Sequence, residues 1–109
     1  MDIETINVIT KVAACVCGRD GVISQIEEES IFETIIAQFP SCTLEQFNQA
    51  IDDFFDENLQ LEEYLEKISG SQIKSFTIHL CEVSASADGL DIKENIALHK
   101  VKLILGEVL

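Results

Sequence analysis

The chain has no tryptophan, one tyrosine, one proline, five glycines and two histidines among its 109 residues. Only 7 residues are Lys or Arg, against 20 Asp or Glu, for a formal charge of −13. The shortage of basic residues argues against DNA, RNA and anionic lipid as partners, because such a surface repels phosphates. No apolar run approaches the roughly 20 residues that span a bilayer, which argues against direct membrane insertion. The start, Met1-Asp2-Ile3-Glu4, lacks the basic flank and apolar core of a secretory signal, so a cytoplasmic location is expected. Four cysteines, Cys15, Cys17, Cys42 and Cys81, include no C-x-x-C pair. Reduced thiols packed as small hydrophobes are expected rather than disulfides or a cysteine zinc framework.

What the chain does have is 47% hydrophobic residues, enough for one core in a single domain over 1–109. Helical spacing puts Ile3, Ile6, Ile9, Val12, Ala13 and Val16 on one face. Ser24 with Glu27 forms a capping-box pattern before Ile31, Phe32, Ile35, Ile36 and Phe39, and Pro40 stops that helix. Thr43 with Gln46 repeats the pattern before Leu44, Phe47, Ile51, Phe54 and Phe55. A break near Asn58 leads to a short helix carrying Leu61, Tyr64, Leu65 and Ile68, then a Ser69-Gly70-Ser71 loop. Ile73, Phe76, Leu80 and Val83 mark the next helix. A last one opens near Asp91 with Glu94 completing the cap, and carries Ile96, Val101, Ile104, Leu105 and Val108. No segment alternates in the manner of a strand. The fold class is all-α, a compact bundle of about six helices.

Two stretches align on Asp-Gly: Asp20-Gly21-Val22-Ile23-Ser24 and Asp88-Gly89-Leu90-Asp91, each between an apolar helix and an acidic helix start. Two such hairpins around a middle segment point to pseudo-twofold packing. Turn chemistry alone accounts for these residues: glycine reaches positive φ, aspartate accepts nearby amide hydrogen bonds, and glutamates favour a helix N-terminus. The alternative is that the same oxygens hold a divalent cation such as calcium or zinc. The loops are not EF-hands. Aligning Asp20-Gly21 on loop positions five and six puts Val16 and Gly18 where ligands are required, and Asn95 ends the second loop.

The motif Asp20-Gly21-Val22-Ile23-Ser24-x-x-Glu27, and Ala87-Asp88-Gly89-Leu90-Asp91-x-x-Glu94 with one residue fewer, resembles the TerB-like domain of tellurite-resistance proteins. Related domains occur at the front of some membrane-anchored DnaJ-type co-chaperones. The resemblance implies an all-helical fold with internal pseudo-symmetry, no catalytic centre, and acidic residues that bind metal. It also implies work in stress-response assemblies near a membrane-protein partner. Carried over, the candidate metal ligands are Asp20 and Glu27 in the first hairpin, and Asp88 and Glu94 in the second.

Catalysis finds no footing in the sequence. His79 and His99 lie singly on helices, and there is no H-E-x-x-H or glycine-rich phosphate loop. A second non-enzymatic reading is an acidic inhibitor or immunity-type protein that captures a basic partner such as a nuclease. Asp52, Asp53, Asp56, Glu57, Glu62, Glu63 and Glu66 form the acidic region it would use. The Phe54-Phe55 pair is more apolar surface than one stripe buries, leaving a ring for a protein partner or for a homodimer.

Overall fold

In the computed structural model, residues 3–18, 23–87, 89 and 92–106 are described. They form six α-helices: α1 Ile3–Cys17, α2 Gln25–Gln38, α3 Leu44–Glu57, α4 Leu61–Leu65, α5 Ser71–Ser86 and α6 Ile92–Ile104, with no strand among the described residues. The chain is an all-α bundle.

The helix boundaries follow the punctuation of the sequence. Ser24 and Thr43 both close full capping boxes, with Ser24 Oγ accepting from Glu27 N at 3.1 Å and Thr43 Oγ1 from Gln46 N at 3.1 Å. Asn58 ends α3 in the left-handed region at φ 54°, a conformation that asparagine tolerates better than most residues. Gly70 precedes α5 at φ 89°. The helix breaks expected at the two Asp-Gly corners are present, since α1 stops at Cys17 before α2 opens at Gln25, and α5 stops at Ser86 before α6 opens at Ile92. In the second corner Gly89 adopts φ 84°, which suits a residue without Cβ. Asp20, Gly21, Asp88 and Asp91 lie outside the described residues.

The core is organised around α1 and α5. Helix α1 packs against α2, α3, α4, α5 and α6, while α5 packs against α1, α2 and α6. A helix covered on several sides buries more than one stripe. That is why α1 buries Ala14, Cys15 and Cys17 beside Ile6, Ile9, Val12, Ala13 and Val16, whereas Ile3 stays exposed. Helix α5 likewise buries Thr77, Ile78, Cys81, Ser84 and Ala85 around Leu80, and Val83 falls outside. On α6 the expected stripe is wrong in part. Glu94, Ala97, Leu98, Val101 and Leu105 face inward, while Ile96 and Ile104 are exposed, at 61% and 44%. Both α6 stripes satisfy helical period, so spacing could not choose between them.

Aromatic contacts join the layers: Phe32 with Phe47 and Phe39 with Phe76 each bring ring centroids to 5.1 Å. Of the adjacent pair, Phe54 packs near Tyr64 and Phe55 remains 48% exposed. Leu44 is also exposed. Polar ties cross the bundle as well. Glu57 accepts from Lys11 Nζ and, at 2.9 Å, from Tyr64 OH, linking α1, α3 and the short α4. The Lys11 hydrogen bond, seconded by Tyr64, holds the Glu57 carboxyl below its ordinary range.

Candidate metal centre

Three buried titratable groups meet at the ends of three helices. Cys17 ends α1, Glu27 occupies the third position of α2, and Glu94 the first turn of α6. All three are buried, and one ligand atom from each (thiol sulfur or carboxylate oxygen) lies within 4.8 Å of the others. Glu27 and Glu94 are each only 5% exposed, a degree of burial unusual for carboxylates.

Local structure explains how the residues arrive there. Glu27 serves the α2 cap, with Oε1 accepting from Ser24 N at 3.0 Å, and this fixes its side chain against the helix start. Cys17 is carried in by the buried face of α1. Its thiol is pushed up from the ordinary range, first by burial and then by the charges of Glu27, Cys81 and Glu94. Cys81, fully buried on α5, is raised by burial too. All four cysteines are buried and outside any disulfide, as expected of thiols packed as small hydrophobes.

These thiols set an alkaline limit. Below the usual thiol pKa of about 8.5 both folded and unfolded chains keep Cys17 and Cys81 protonated, and stability is at its full value. Above it the unfolded chain ionises while the folded chain resists. Stability should then fall by about 1.4 kcal/mol per pH unit for each thiol. Urea midpoints flat to about pH 8 and declining above about pH 8.5 would show this; a flat profile to pH 10 would refute it.

The sequence placed Glu27 and Glu94 in two separate sites, paired with Asp20 and Asp88. The fold instead brings Glu27 and Glu94 to one cluster. Asp20 and Asp88 fall outside the described residues. Cys17 is the residue that sequence reasoning missed. C-x-x-C spacing is blind to a single thiol that joins carboxylates from other helices. A signal was nonetheless present: Cys17 precedes Glu27 by ten positions, and Ser84 precedes Glu94 by the same ten.

Ser84 is the other unusual group. Buried Thr10 and Thr77 donate to the carbonyls of Ile6 and Ile73 one turn earlier, at 2.8 and 2.7 Å. Ser84 Oγ is fully buried yet has no hydrogen-bond partner among the described residues. It lies one turn beyond Cys81 on the buried side of α5.

Elsewhere among the described residues the surface carries open depressions. His79 borders one with Ser71, Ser75 and Phe76, and no carboxylate lines it. Among the acidic residues of the middle region, Glu57 and Glu62 are paired with Lys11 and Lys100. Asp52, Asp56 and Glu66 are exposed. No helix among the described residues is long and apolar enough to cross a membrane. No protein-family model, curated protein or solved structure matches the chain.

Proposed function

We propose that this chain is a non-catalytic, acidic TerB-like domain. It works as a cytoplasmic protein-interaction module in a stress or tellurite-resistance type system, and it holds a divalent cation between its two hairpins. The observation that carries the reading is the convergence of buried Cys17, Glu27 and Glu94 from three helix ends. Three groups that are negative when ionised are costly to gather in a core, and a divalent ion would offset that cost. Such an ion would tie the end of α1 to the starts of α2 and α6. It would thereby link ion occupancy to the arrangement of the hairpins.

The interaction surface that fits the composition is the exposed acidic side of α3, where Asp52 and Asp56 flank the protruding Phe55. An apolar anchor ringed by carboxylates favours a partner with basic residues around an apolar pocket. The same face serves the immunity-type alternative, in which the basic partner is a nuclease.

Thermal melts test the ion. After chelator treatment, micromolar zinc or millimolar calcium is expected to raise Tm by several degrees through preferential binding to the folded chain. Glu27→Gln, which keeps the shape of the side chain, should reduce that rise. If neither zinc nor calcium shifts Tm, cation binding is overturned.

A further inference from the structure

Calcium and zinc ask for different donors. Calcium takes six to eight oxygens in an open, flexible shell, whereas zinc accepts four donors and readily includes thiolate sulfur. The cluster between the hairpins offers one sulfur and two carboxylates, all buried. Pairwise separations up to 4.8 Å exceed the roughly 3.5 Å edge of a zinc tetrahedron, so closure needs a contraction of about an ångström. Rotation of a glutamate side chain supplies that much. Three protein donors leave the fourth zinc position to a water.

We propose, resting on the cation-binding reading above, that the site is a sulfur-selected zinc-class centre in which Cys17 is a direct ligand. On binding, the divalent ion forms a bond to Cys17 Sγ and the thiol proton is released to solvent, one proton per ion. Glu27 and Glu94 each contribute a carboxylate oxygen. The site therefore prefers zinc or cobalt(II) to calcium or magnesium, since hard cations gain nothing from the sulfur.

Cobalt(II) titration of the whole chain under reducing conditions reads the sulfur bond directly. The expected result is a near-ultraviolet thiolate-to-cobalt charge-transfer band that saturates at one ion per chain and is bleached by zinc. The band should persist in Cys42→Ser and vanish in Cys17→Ser. Cys17→Ala, similar in bulk and apolar, guards against loss through misfolding, and its far-ultraviolet circular dichroism should match the parent. If zinc or cobalt raises Tm with no such band, or raises it equally in Cys17→Ala, the ion sits on carboxylates alone. Sulfur selection is then overturned while cation binding stands. If no divalent ion binds or shifts Tm, both fail together.

Discussion

Leu80→Ala is expected to lower stability by about 2–5 kcal/mol and Tm by roughly 10–30 °C. Leu80 is fully buried on α5, the helix that packs against α1, α2 and α6. Truncation removes the transfer free energy of its side chain and leaves a cavity that three neighbouring helices cannot all close in to fill. Whole-domain stabilities run to about 5–15 kcal/mol, so this single change would consume a large share. Ile96→Ala is the control. Helical period makes Ile96 look like core, yet it is 61% exposed, so its loss should stay within about 0.5 kcal/mol. Urea midpoints for the two variants decide the matter. Comparable losses would mean that α6 packs through the other of its two apolar stripes.

Ser84→Ala should move stability in the opposite direction. A buried hydroxyl without a partner costs about 1–3 kcal/mol, and alanine relieves that cost with the loss of one oxygen. In the presence of chelator the variant is therefore expected to unfold at higher urea than the parent. Thr77→Ala, whose hydroxyl donates to Ile73 O, gains no such relief and should be neutral or destabilising. A destabilised Ser84→Ala in chelator would show that the hydroxyl is satisfied.

Most of the fold was legible because local signals were unambiguous. Capping boxes at Ser24 and Thr43, the stop at Pro40 and the turn at Asn58 each depend on residues within a few positions of one another. Burial was less legible wherever a helix is covered on more than one side. Periodicity assigns one face, so it overlooked Ile78, Ser84 and Ala85 on α5 and admitted Val83. On α6, Ile96 and Leu98 compete on equal terms until neighbours are placed. The site was half legible. Glu27 and Glu94 stood out as helix-opening carboxylates, but their meeting is a tertiary event, and nothing local links either of them to Cys17.

Helix α1 is made before α5, one of the helices that cover it, and α5 begins 54 positions after α1 ends. At about 5–20 residues per second, a ribosome needs roughly 3–11 s to produce that interval. For those seconds the nascent α1, with its buried Ile6, Ile9, Val12 and Val16, lacks the cover that α5 supplies. The intervening stretch is rich in carboxylates, which would keep neighbouring nascent chains apart by mutual repulsion while the apolar helix waits.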